Sequence, residues 1–159
     1  MEYPSREGTA VSSLQANLDE RRSNISAPLA MKGEAAEGAQ LPIFVVDDDA
    51  SVRDSLSTLL ETLGFTVHTH GSGSEFLADG RRQNAGCLIV DQNMPGMDGL
   101  QTLAALRSLS PTIPAILMTG RLDPSISDRA TALGVTAILE KPFRTAELVE
   151  IVRTSLRRG

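Results

Sequence analysis

An open α/β sheet of mostly parallel strands is what this sequence predicts from Leu41 onward, on three observations. Short apolar runs rich in Val and Ile alternate with segments of helical period, the signature of successive strand–helix–strand units. Several runs are almost unbroken by polar residues, as strands covered on both faces must be. Asp, Ser or Thr stands before most of the helical segments and Gly after two of them, so starts and stops fall where the alternation needs them.

Five strands are expected: Ile43 to Asp47, Thr66 to His70, Cys87 to Asp91, Ile113 to Met118 and Val135 to Leu139. Asp49 or Ser51 can cap a first helix, whose Val52, Leu56, Leu59, Leu60 and Leu63 recur at helical intervals before Gly64 supplies a left-handed stop. The second helix, near Ser74 to Arg82, has the least regular spacing. Asp98-Gly99 opens a third with Leu100, Leu103 and Leu106 in line. Asp123 or Ser125 can cap a fourth, which carries Ile126, Ala130 and Leu133 ahead of Gly134. The last starts at Thr145, repeats Leu148, Val152 and Leu156, and ends on Arg157-Arg158, the charge that suits a helix C-terminus.

With 159 residues, 41% of them hydrophobic, the chain can close one ordinary core but hardly two. One domain over residues 41–159 is therefore expected, behind an extension at 1–40. That extension is rich in Ser, Ala, Glu and Gly and its apolar residues are scattered, so it reads as disordered or, over Ser13 to Arg22, weakly helical. A docking or dimerisation arm is the alternative, and the internal Met31 is a second candidate start of translation.

A net charge of -5 argues against tracking nucleic acid, which needs a basic face. No apolar run approaches the roughly 20 residues of a membrane span, and no signal peptide opens the chain, so a cytoplasmic location is the expectation. The one cysteine, Cys87, lies inside an apolar run, which leaves buried packing as its role and excludes an internal disulfide. His68 and His70 lack the partners of a metal set and are expected on a strand face turned to solvent.

The chemistry gathers at strand ends. Asp47, Asp48 and Asp49 leave the first strand, Asp91 the third, Thr119 the fourth and Lys141 the fifth. In a sheet of order 2-1-3-4-5 the first and third strands are neighbours at the switch point, where open α/β sheets bind ligands, so these carboxylates converge. Clustered carboxylates repel, and a hard divalent ion among them is the natural remedy. Magnesium suits such a site because it takes oxygen ligands, keeps waters and uses few carboxylates alongside phosphate oxygens. An aspartate there can act as nucleophile toward a phosphoryl group, while a lysine supplies positive charge to the equatorial oxygens. Lys141 is the only lysine after Lys32, in a stretch whose other bases are all arginine. Pro142 behind it marks a fixed turn, with the bond trans or, as in a minority of such bonds, cis.

The segments Ile-Phe-Val-Val-Asp47-Asp48-Asp49, Leu-Ile-Val-Asp91-Gln-Asn-Met-Pro-Gly-Met-Asp98-Gly99, Leu-Met-Thr119-Gly120 and Glu140-Lys141-Pro142-Phe143, in that order, closely resemble the receiver domain of bacterial two-component response regulators. The resemblance covers nearly all of Leu41 to Arg158. It implies a flavodoxin-like, doubly wound five-stranded parallel sheet with five helices. It further implies that Asp91 takes a phosphoryl group from a sensor histidine kinase or phosphotransfer protein. Magnesium would be bound by Asp48, Asp91 and the backbone carbonyl of Asn93, and by Asp47 through a water. Lys141 would pair with the phosphoryl oxygens and Thr119 would swing toward them. Asn93 and Arg121 would shape water access and hence dephosphorylation. The domain would be a phosphoacceptor that assists its own transfer and hydrolysis rather than an enzyme.

One departure stands out. In the family an aromatic residue three places before the lysine couples to the threonine, and here that place holds Ile138. Output is then expected to lean on backbone shifts around Gly120 to Asp123. Because the sequence stops soon after the last helix, a stand-alone regulator is expected, signalling to another protein and neither to nucleic acid nor to membrane. Pairing of two copies through the fourth helix, fifth strand and fifth helix is also compatible with the resemblance. The alternative function is a phosphorylation-independent interaction or dimerisation module on the same fold.

Overall fold

The structure is a computed structural model, and it describes residues 40–158. The expectations for residues 1–39 lie outside that span. Five parallel strands form one sheet: β1 (Ile43–Val46), β2 (Val67–His70), β3 (Cys87–Asp91), β4 (Ala115–Thr119) and β5 (Ala137–Glu140), in the order β2-β1-β3-β4-β5. That is the expected 2-1-3-4-5. Strand boundaries move by one or two residues, and β5 starts at Ala137, because Val135 N is still tied to Ala130 O in the turn after the preceding helix.

Period-two alternation along the strands divides the core in two. Phe44, Val46, Leu88, Val90, Ala115 and Leu117 point to one face, under α2 (Gly73–Ala78), α3 (Gly99–Leu109) and α4 (Pro124–Ala132). Ile43, Val45, Cys87, Ile89, Ile116 and Met118 point to the other, under α1 (Ala50–Thr62) and α5 (Thr145–Arg158). Cys87 is fully buried there as packing, and burial pushes its thiol up to about 12.

Local signals decide most helix ends. Asp49 caps α1, accepting from Ser51 N and Val52 N; Asp98 closes a capping box with Gln101 at α3; Asp123 caps α4 ahead of Pro124. Gly64 (φ +97°) and Gly134 (φ +69°) take the left-handed turns after α1 and α4. Arg107, on α3, donates to Leu133 O at 2.8 Å, Ile113 O at 2.7 Å and Gly134 O at 3.3 Å, which binds the carbonyl end of α4 to its neighbour.

Two expectations fail on the same edge of the sheet. The helix expected at Ser74 to Arg82 is a six-residue α2 followed by a separate 3-10 turn, Gly80–Asn84, because Asp79 turns the chain and accepts from Arg81 N. His68 and His70 do not face open solvent. Both are half-buried against Phe44, with ring centroids at 5.0 and 6.0 Å, and Phe76 of α2 packs on the same cluster.

Candidate functional site

Val46 pairs with Val90, so the next residue of each strand, Asp47 and Asp91, emerges side by side at the carboxyl edge of the sheet. Carboxylate oxygens of Asp47, Asp48 and Asp91 all lie within 4.8 Å of one another. Asp47 and Asp91 are buried, whereas Asp48 is exposed at the mouth. The amine comes from the far side of β4. Lys141 N donates to Thr119 O at 2.8 Å, the Lys141-Pro142 bond is cis, and the side chain reaches Asp91 Oδ1 at 2.8 Å and Asp47 Oδ2 at 3.7 Å.

The acids are left short of donors. Asp47 Oδ1 accepts from Asp49 N at 2.9 Å, but among the described residues Asp47 Oδ2 and Asp91 Oδ1 are buried with no aligned hydrogen bond, and Lys141 meets Asp91 chiefly as a close charge contact. An anionic oxygen buried without a donor is costly, and a cation is what relieves it. Burial pushes the Asp47 carboxyl above its usual range, with the Asp91 and Asp48 charges adding to it and the Asp49 N–H and Lys141 only partly offsetting. Burial works against the charge of Lys141, yet the contact and charge of Asp91, with Asp47 and Asp49 behind it, hold its pKa above the ordinary value. Two donorless oxygens on buried acids and a third carboxylate at the mouth form an oxygen-only set, which fits magnesium.

Of the other expected residues, Thr119 is engaged elsewhere. Thr119 ends β4 fully buried, and its hydroxyl donates to Arg121 O at 3.1 Å and accepts from Arg121 N at 3.2 Å, so it is folded onto its own loop rather than aimed at Asp91. Arg121 is itself exposed, as is Asn93. Ile138 is half-buried on the face that α4 covers.

Three further residues shape the site without having been singled out in the sequence. Arg53, in the first turn of α1, donates to Asp47 O at 2.7 Å; a base at a helix N-terminus is unfavourable for the dipole, and that is the readable trace of its tie to the acid loop. Glu140 Oε2 accepts from Leu122 N at 3.3 Å and tethers the loop after Thr119. Gln92, between Asp91 and Asn93, is buried and accepts from Leu100 N at 2.9 Å. Nothing local in the sequence betrays the last two.

Residues 43–153 match the family model described as "Response regulator receiver domain". Among curated proteins, the transcriptional regulatory protein FixJ of Azorhizobium caulinodans is 42% identical over 119 residues, covering 75% of this chain and 56% of that protein. The response regulator protein TodT of Pseudomonas putida is 37% identical over 115 residues, covering 72% and 51%. The chain thus spans about half the length of the curated relatives it matches. Among solved structures, the chemotaxis protein CheY4 of Vibrio cholerae is 31% identical at a TM-score of 0.69, over 74% of this chain and all (100%) of that one. A CheY-like receiver domain protein of Methanospirillum hungatei is 27% identical at a TM-score of 0.70, over 76% of this chain and 96% of that one. Sequence match, sheet order and the acid cluster agree, and this chain belongs to the receiver domain family of two-component response regulators.

Proposed function

We propose that this receiver accepts a phosphoryl group on Asp91 from the phosphohistidine of a sensor histidine kinase or a phosphotransfer protein. The supporting observation is the Lys141 ammonium 2.8 Å from a buried Asp91 oxygen that has no other donor. A carboxylate oxygen of Asp91 attacks phosphorus as the N–P bond of the phosphoimidazole breaks; the nitrogen leaves with that electron pair and takes up a proton. For such a transfer the protein supplies position and charge. Asp48, Asp91 and the Asn93 carbonyl would hold magnesium, with Asp47 acting through a water. There it would supply positive charge to the acids and to the incoming phosphoryl oxygens. Lys141 then exchanges Asp91 for a phosphoryl oxygen.

Thr119 has to give up both bonds to Arg121 before its hydroxyl can reach the phosphoryl group. That exchange reshapes Gly120 to Asp123, and the altered loop and α4 carry the signal to a protein partner. Ile138, with no ring to turn inward, leaves the loop backbone as the carrier. The test is phosphorylation by a small phosphoramidate donor and by histidine kinases, read by intact mass. Wild type gains one phosphoryl group and Asp91→Asn gains none; equal labelling of both removes Asp91 from this role.

A second reading, a receiver-like module that ignores phosphate, draws on Ile138 and on the engaged Thr119 hydroxyl. Amide shifts on adding magnesium with beryllofluoride separate the two. Shifts at Thr119 to Asp123 support phosphate sensing, and an unchanged spectrum supports the alternative.

A further inference from the structure

We propose that Gln92 is the positioning residue of the metal site: its side chain clamps the loop that presents the Asn93 carbonyl. The inference rests on the site reading above. A helix starts with N–H groups that have no intrahelical acceptor, and at α3 each has a named one. Gly99 N donates to Gln92 O at 3.1 Å, Leu100 N to Gln92 Oε1 at 2.9 Å, and Gln101 N to Asp98 Oδ1 at 2.8 Å. Two of those three go to a single residue, which is also the link between Asp91 and Asn93. Gln92 N in turn donates to Met118 O at 2.8 Å, extending the β3–β4 pairing one residue past the strand.

One residue thus ties three element ends together. The segment Asn93 to Asp98 becomes a loop closed at its base, with Met94 sunk in the core as a second anchor. The closure is tight, because a Cβ on Gly99 would stand 2.6 Å from Asp91 O and 2.9 Å from Gln92 Cα. Asp98 and the capping box would hold α3 by themselves, so the Gln92 amide is not needed to make a helix. What it adds is a fixed distance from α3 to the peptide that carries the Asn93 carbonyl. A ligand oxygen supplied by backbone has no rotamer of its own, so it is only as well placed as the peptide that bears it.

Magnesium titration by calorimetry and by amide shifts tests this in wild type, Gln92→Leu, which loses the acceptor, and Gln92→Glu, which keeps it. Loss of such an outer support weakens metal binding by about tenfold or more. Gln92→Leu should show that loss, with the Leu100 and Asn93 amides shifted, while Gln92→Glu stays within about threefold of wild type or binds tighter. A Leu103→Ala variant, destabilised in the core away from the loop, should keep wild-type affinity. Wild-type affinity in Gln92→Leu, or an equal loss in Gln92→Glu or Leu103→Ala, overturns the proposal while leaving the site reading intact. No binding by wild type would instead sink the site reading, and this inference with it. Should Gln92→Leu fail to fold, Gln92→Asn, one methylene short of Leu100 N, is judged by the same threshold.

Discussion

Asp47 and Asp79 are two aspartates within one sheet's reach, with opposite surroundings. Asp79 is saturated: Arg81 meets it with Nε at 3.0 Å and Nη2 at 2.6 Å, Arg81 N adds 2.8 Å, and His70 Nε2 lies at 3.0 Å. The Arg81 side-chain and backbone bonds hold its carboxyl well below the usual range. Asp47 is raised instead, by burial first, and one of its oxygens finds no donor. Their cations differ in kind. Arg81 closes on Asp79 as a planar fork, whereas Lys141 meets its acids as a point charge on a flexible stem that can move to another oxygen. Asp79 is finished inside the protein, whereas Asp47, proposed to serve a bound ion, is left incomplete.

That contrast can be broken most sharply through the cations. Lys141→Ala should weaken beryllofluoride binding by about 10 to 100-fold, the worth of one charged contact, while magnesium affinity changes by less than about threefold. Arg81→Ala should leave both unchanged; a collapse of magnesium affinity in Lys141→Ala would make the lysine part of the metal site's framework. Next in size, Asp47→Asn should lower magnesium affinity about tenfold and Asp79→Asn not at all, measured by calorimetry.

Without metal, the same two substitutions should move thermal stability in opposite directions. Asp47→Asn removes a strained charge and should raise Tm by about 3–5 °C, while Asp79→Asn frees one side of a satisfied pair and should lower it by a few degrees. An Asp47→Asn protein that melts earlier than wild type without magnesium would contradict the charge argument.

The smallest effect is in pH. The folded carboxyl of Asp47 lies above its ordinary value of 3.8, so its ionisation detracts from metal-free stability increasingly as pH rises from there through the raised value. Asp79 lies below 3.8, so its contribution is present above that pH and is lost as pH falls toward its lowered value. Denaturation profiles of the two Asn variants should therefore flatten on opposite sides of about pH 4, Asp47→Asn above it and Asp79→Asn below.

The same contrast marks how far the sequence could be read. Strand ends carrying acids, a hydroxyl and an amine are local text, and sheet order alone brings Asp47, Asp91 and Lys141 together. Caps at Asp49, Asp98 and Asp123 and stops at Gly64 and Gly134 are local as well. The β2 edge departs from its local text because its burial comes from elsewhere: Phe44 and Phe76 cover the histidines, and Asp79 breaks what spacing alone reads as one helix. Gln92 escaped for the same reason, since its acceptor role exists only once Leu100, eight residues on, has been folded back against it. The two bonds that Thr119 makes to Arg121 depend on a loop shape that no residue type announces.

The Arg107 staple gives α4 unequal ends. Two carbonyls just beyond its last turn, Leu133 O and Gly134 O, are pinned to α3, while its first turn grows straight out of the loop that follows Thr119. A displacement of that loop would therefore move α4 most at Pro124 and least near Leu133, where Arg107 holds it.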